Sequence, residues 1–246
     1  MNSKIRCSTD IVLFKLPGRV FLITLLLAFG NLLSLPVHAQ WTGGIEGGTV
    51  LRDDGSATRL RLRAENQSRP LSHFVYVDWI RPDSGSNAFE LGYRPRYWFS
   101  TQFYGFGEAS IRTDRPILID QQLLLIGGLG FSAISTPEQS LFFEAGVGTR
   151  DTETVATATN PQQDLNETLT LLRGGYRQIL SDLLQLELDL DVFDGDSLRQ
   201  TLLEAGISVR IPGGAVKFSY RARRIEPDGG ETVDDDDTFV SFTYGF

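Results

Sequence analysis

Between residues 59 and 63 arginine occupies every second position: Arg59, Arg61 and Arg63, separated by Leu60 and Leu62. Further along, Glu187, Asp189 and Asp191 alternate with Leu186, Leu188 and Leu190 in the same way. A spacing of two puts the charges on one face of an extended strand and the leucines on the other. Three kinds of chemistry are open to such ladders. Paired carboxylates such as Glu187 and Asp189 can work as general acid and base. A basic track of Arg59, Arg61 and Arg63 with Arg94 and Arg96 can draw anions along a wall. Alternatively, arginines and carboxylates pair off and brace a closed interior. The positions that join them on the charged side are Glu90, Glu108, Arg112, Glu144, Arg150, Arg173, Arg177, Glu204, Arg210, Lys217, Arg221 and Arg223.

Nucleophilic and metal chemistry find less support. His73 is the single histidine after residue 39. A Ser–His hydrolase needs it beside a serine and an orienting acid, but Ser72 is adjacent in sequence and so points to the opposite strand face. His73 reads as a polar residue at an interface. No His/Cys cluster is spaced to hold zinc, and nothing in the chain calls for a cofactor. Asp234, Asp235, Asp236 and Asp237 close an acidic segment, Glu226 to Asp237, read as a solvated loop with weak capacity for a divalent cation. Asp191 to Ser197 lacks the distal glutamate of a calcium loop and reads as a turn.

The elements that position these side chains are strands. Beyond Gln40 no helical period is evident, and runs of about ten alternating residues recur between Gly, Asp, Pro and Ser. Twelve are expected, at 41–51, 58–66, 72–81, 87–98, 101–112, 119–132, 140–150, 168–179, 183–193, 199–211, 214–225 and 238–246. Pro95 is expected to interrupt the fourth, and the third, apolar on both faces, has no clear orientation. An even count returns both ends to one side, as a closed antiparallel barrel requires. Gaps after even-numbered runs are mostly short, whereas Asp151 to Glu167 and Glu226 to Asp237 are long, which orients the barrel with its turns periplasmic and its loops outside. Trp41, Tyr93, Tyr97, Trp98, Phe99 and Phe103 then fall at the periplasmic ends as an interfacial girdle. A soluble β-sandwich binding protein would also show many short strands, but would have no use for such a girdle.

The two ends agree with that fold. Lys4, Arg6, Lys15 and Arg19 precede an apolar run from Val20 to Leu35, and Val37-His38-Ala39 reads as a cleavage site. The run is broken by Gly30 and Asn31 and falls short of the roughly 20 residues of a spanning helix, which favours a cleaved signal peptide at 1–39 over a retained anchor. Cleavage removes Cys7, the sole cysteine, and moves the net charge from −8 to −11, because the leader carries those four basic residues and Asp10. So acidic a chain is a poor partner for nucleic acid. At the other end Val240, Phe242, Tyr244 and terminal Phe246 share one face against Ser241, Thr243 and Gly245. A C-terminal aromatic on such a strand resembles the closing strand of bacterial outer-membrane barrels, which implies insertion by the barrel-assembly machinery and a surrounding of outer-membrane lipid and lipopolysaccharide.

Trp41-Thr-Gly-Gly-Ile-Glu-Gly-Gly, Glu144-Ala-Gly-Val-Gly-Thr-Arg150, Gly175-Tyr176-Arg177 with the Leu180-Ser181-Asp182 turn, and Ser241 to Phe246 resemble the YdiY-like, salt-induced outer-membrane proteins. In place of that family's S-G-N-type turn after the first strand stands Arg52-Asp53-Asp54-Gly55-Ser56. The resemblance implies location and fold rather than an activity. The sequence therefore predicts an all-β chain, residues 40–246 forming one transmembrane barrel of about twelve strands. It would serve as an envelope protein or as a narrow pore for small, anionic solutes. An outer-membrane lipid-modifying or hydrolytic enzyme is the alternative.

Overall fold

The computed structural model describes residues 41–52, 55–83, 86–114, 119–155, 164–228 and 232–245. They form twelve strands: β1 (Trp41–Arg52), β2 (Gly55–Asn66), β3 (Leu71–Pro82), β4 (Ala88–Trp98), β5 (Phe103–Asp114), β6 (Ile119–Ser135), β7 (Gln139–Thr154), β8 (Asp164–Ile179), β9 (Leu184–Gly195), β10 (Leu198–Ile211), β11 (Gly214–Pro227) and β12 (Val233–Gly245). Each pairs antiparallel with its sequence neighbours, and β1 pairs with β12, so the sheet closes on itself and leaves no edge. At that seam Gly48 lies opposite Ser241, and the Ser241 hydroxyl donates to Glu46 at 2.8 Å. The expected leader at 1–39 and Phe246 lie outside the described residues.

The strands form because alternation satisfies two solvents at once. Outward positions carry apolar side chains that no protein covers: Leu129, Val147 and Leu172 are 67%, 63% and 62% exposed, and Val240, Phe242 and Tyr244 belong to the same outer belt. So continuous an apolar surface belongs in a bilayer, not in water, and a sandwich would have buried it in a core. The β10–β11 turn shows the local chemistry of a tight connection. Pro212 sets its first corner, and Gly213, at φ +84°, takes the left-handed second corner that a Cβ would resist.

Several boundaries differ from the sequence reading. The segments expected as long loops are partly strand: β7 and β8 extend into Asp151–Thr154 and Asp164–Glu167, and β11 and β12 into Glu226–Pro227 and Val233–Asp237. Asp234, Asp235, Asp236 and Asp237 are thus not a loop but the start of β12, two facing inward and two outward. β4 is not broken at Pro95. Its ladder to β5 skips Arg94 and Pro95 and resumes in unchanged register. β3 turns Ser72, Phe74, Tyr76, Asp78 and Ile80 inward. Trp98 leaves the girdle, because it shares the inward parity of Arg94 and Arg96. Its ring packs on Tyr104 (4.5 Å between centroids), and its Nε1 donates to Ser72 Oγ at 3.2 Å.

The interior is not uniformly polar. Val50, Ala57, Ile80 and Phe239 form one buried apolar cluster, and Tyr104, Phe106, Leu124, Ile126, Leu169 and Leu171 another. Tyr76, Tyr104 and Phe142 lie flat over Gly92, Gly130 and Gly175, their cross-strand partners, filling space where a Cβ would meet the ring at 2.2 Å.

Candidate functional site

The charged faces of β2, β4, β5, β7, β8, β9, β10 and β11 converge in the lumen, and most of their arginines are committed to carboxylates. Arg59 donates from Nε to Asp78 at 2.8 Å on neighbouring β3. Arg61 forks onto both oxygens of Glu204 at 2.8 and 2.9 Å and also reaches Asp78. Since β2 and β10 are four strands apart around the ring, that pair crosses the lumen. Glu204 and Glu187 share Lys217 Nζ, at 3.7 and 2.7 Å.

A second network braces the opposite side. Arg173 on β8 holds Asp191 at 2.7 Å, Glu108 at 2.8 Å and Glu144 at 3.1 Å. Glu108 also accepts a fork from Arg94, with both contacts at 3.1 Å, and Glu144 accepts Arg96 Nε and the Tyr104 hydroxyl, each at 3.0 Å. The Glu144 side chain is wholly shielded from solvent, and the Glu108 carboxylate and the Arg173 guanidinium are nearly so. Charges this dry persist only because every one of them meets an opposite charge in hydrogen-bonded geometry.

At the end remote from the chain termini, Arg112, Asp114, Arg223 and Asp235 run as one ionic chain, while Arg221 holds Asp237 at 2.5 Å. Arg59 and Arg221 both lie over the Phe239 ring, at 4.2 and 5.1 Å from its centroid. At the terminus-bearing end the lumen opens instead. Cavities of about 630, 320 and 620 Å³ share Arg63 and Glu65 in their walls. The 320 Å³ space lies between the β2 arginines Arg61 and Arg63 and the β9 acids Asp189 and Asp191, so the two ladders face each other across a cavity.

The sequence-derived positions thus sort into two groups, with Glu90 apart from both, accepting the Tyr76 hydroxyl at 2.8 Å in the wall of the 320 Å³ cavity. Arg59, Arg61, Arg94, Arg96, Glu144, Glu187, Asp191, Glu204 and Arg221 are all drawn into ion pairs. Arg63, Arg177, Arg210 and Asp189 face the cavities with no ion pair within 4 Å among the described residues. An unbroken basic track through Arg59 and Arg61 is therefore not what the lumen contains, because both guanidiniums are spent on Asp78 and Glu204. Glu46, Asp114 and Glu167 were not singled out from sequence. Their parity with inward neighbours was available, but they lie outside or at the ends of the charge ladders. Ser72 and His73 point to opposite faces. Ser72 accepts from Trp98 inside, while His73 Nδ1 lies 2.8 Å from the Tyr93 hydroxyl outside, its ring stacked between Tyr93 and Trp41. No group of three or more potential metal ligands is found among the described residues.

A closed twelve-stranded barrel with a lipid-facing belt and a charged lumen defines the class: a transmembrane β-barrel of the outer-membrane kind. Within it, residues 52–246 match the model of the family described as "Protein of unknown function, DUF481", and the chain belongs to that family. The NanC porin is similar in fold, with a TM-score of 0.55 at 7% identity over 82% of this chain and 98% of that one. The KdgM porin (TM-score 0.49, 14% identity, 82% and 99% covered) and the outer-membrane channel DcaP of Acinetobacter baumannii (0.47, 8%, 84% and 97%) are further structures it resembles. The chain has no match among curated proteins.

Proposed function

We propose that the protein is an envelope channel, narrow and internally braced, whose lumen takes up small anionic solutes from the end that bears the chain termini. One observation carries this reading. Arg63, Arg177 and Arg210 line the open cavities without ion-pair partners, whereas the arginines deeper in the lumen are held by carboxylates. A guanidinium left free in a water-filled vestibule attracts anions and offers planar, two-pronged contacts to carboxylate or phosphate. Asp189, with no ion pair within 4 Å among the described residues, faces the same space within the field of Arg63 and keeps the attraction short of trapping. The bracing and the pore are one design here: fixed pairs hold the wall, and the leftover cations act on solute. Ser72 and His73, on opposite faces, give no support to hydrolysis.

The same reading assigns the chain to the YdiY-like, salt-induced proteins, on the glycine, tyrosine and arginine positions quoted above. It has the chain delivered by removal of residues 1–39 and inserted through the strand bearing Val240, Phe242, Tyr244 and Phe246. Lipopolysaccharide surrounds the outer rim, where Asp234 and Asp236 face outward, Asp234 3.9 Å from Arg224, and are the more exposed carboxylates for divalent bridging. Asp235 and Asp237 are held by Arg223 and Arg221.

The test is permeation into proteoliposomes. Small carboxylate anions are expected to enter faster than ammonium cations of matched size, and the triple exchange Arg63→Gln, Arg177→Gln, Arg210→Gln is expected to erase the preference. Vesicles that stay impermeable to every solute, or a preference that survives the triple exchange, overturn the reading.

A further inference from the structure

The end of the barrel remote from the termini is closed by side chains that reach across it. Asp114 ends β5, and Arg223 lies near the same end of β11. In the ring of twelve these strands are six apart in either direction, so they are directly opposite. Yet Arg223 Nη1 donates to Asp114 at 2.8 Å. Opposite walls of a twelve-stranded barrel meet within the reach of one arginine and one aspartate only if the mouth is drawn in at this level. Both residues are 4% exposed, as closure demands. Arg112 from β5 and Asp235 from β12 extend the contact to four alternating charges.

A second set of contacts narrows the same end. Arg150 on β7 pairs with Glu167 on β8, and also donates from Nη2 to the Leu198 carbonyl at 2.6 Å, three strands away. Glu167 accepts the Ser197 backbone N–H at 2.8 Å, so the β9–β10 turn is folded onto the inner wall. Arg150 is only 1% exposed although it sits at the end of a lumen. The wall carrying Asp114 is also irregular at this level. The β5–β6 register shifts between Arg112 and Asp114, and the β6–β7 register between Ile119 and Gln121. A bulge re-aims a side chain and interrupts the local ladder, which turns Asp114 toward the opposite wall at a point where the β5–β6 pairing is irregular.

We propose that Asp114 and Arg223 form a clasp that gates the outer mouth, and that parting it admits solute from outside to the vestibule of Arg63, Arg177 and Arg210. The clasp rests on the channel reading above, but it is tested by access rather than by flow. Ser110 faces the lumen on β5, four residues or about 13 Å below Asp114, and is buried at 7% exposure. With Cys7→Ser as background, Ser110→Cys provides a lone thiol for a membrane-impermeant maleimide added to intact cells. It should label slowly while the clasp is intact. Asp114→Asn and, independently, Arg223→Gln should each speed labelling by about tenfold or more, which corresponds to about 1.4 kcal/mol of lost closure.

Asp114→Glu, which keeps the charge, should stay slow. So should Arg221→Gln, which removes the pair to Asp237 on adjacent β12 and the contact with the Phe239 ring but leaves the Asp114–Arg223 pair in place. Heat-modifiable migration on gels identifies the folded population that is scored. Rapid labelling with the clasp intact overturns the proposal, and so does slow labelling in both folded neutralised variants. If labelling responds as expected but no anion preference appears in vesicles, the gate stands and the anion reading falls. The reverse pair of results removes the gate alone.

Discussion

Replacing Arg173 by methionine separates a dry brace from a wet wall. The guanidinium touches Glu108, Glu144 and Asp191, and its own side chain is 5% exposed. Arg94 remains for Glu108 and Arg96 for Glu144, so neither carboxylate is stripped bare, but each loses one of two cations, and Asp191 loses its sole one among the described residues. Removing one partner of a buried pair costs about 3–5 kcal/mol. The two shielded carboxylates keep the expected loss in that range, and Asp191, with 20% of its side chain exposed, adds little beyond it. The internal control is Arg199→Met. Arg199 pairs with Asp194 at 3.0 Å, but both side chains are more than half exposed, and such a pair is worth about 0–1 kcal/mol. Reversible urea unfolding from lipid vesicles, followed by tryptophan fluorescence, gives both numbers. Adding Glu144→Gln to Arg173→Met should cost less than the two single losses combined, because the second change removes a charge the first left short of partners. If Arg173→Met costs no more than Arg199→Met, water screens the lumen pairs and the bracing argument fails.

Two further predictions concern closure and filling. A Cβ at Gly48 would meet the Val240 carbonyl oxygen at 2.2 Å and Ser241 Cα at 2.5 Å across the β1–β12 seam, so Gly48→Ala should lower the yield of heat-modifiable, closed barrel, whereas Gly47→Ala, with open space around it, should not. Phe239 is 1% exposed and carries two guanidiniums on its ring. Phe239→Ala should therefore cost about 3–5 kcal/mol in the same urea assay. Lipid-facing Phe242→Ala should cost clearly less, because acyl chains close around the truncated side chain.

The strands were legible because lipid on one side and charge on the other impose a period of two that no helix can mimic. Leu184 to Val192 against Gln185 to Asp191 displays it in full. The rule weakens where the barrel leaves the bilayer. Asp151–Thr154 and Val233–Asp237 read as loop because no apolar face marks them, yet they stay in the ladder, where Asp235 and Asp237 meet Arg223 and Arg221. Inward apolar residues such as Leu169, Leu171 and Phe239 were hidden for the opposite reason. They sit on the polar parity, and only closure shows that they pack on one another. Pairings across the lumen depend on which strands lie opposite in the ring, a property of strand number and register together. Arg61 with Glu204 and Asp114 with Arg223 are therefore absent from any local pattern, and with them the division between held and free arginines.

That division is tested most directly by the zero-current potential of the protein in a planar bilayer under a potassium chloride gradient. The expected potential has the sign set by chloride selectivity, moves toward the cation-selective side when Arg63, Arg177 and Arg210 become glutamine, and stays put when Arg199 does. A native potential already on the cation side, or one that ignores the loss of the three arginines, contradicts it.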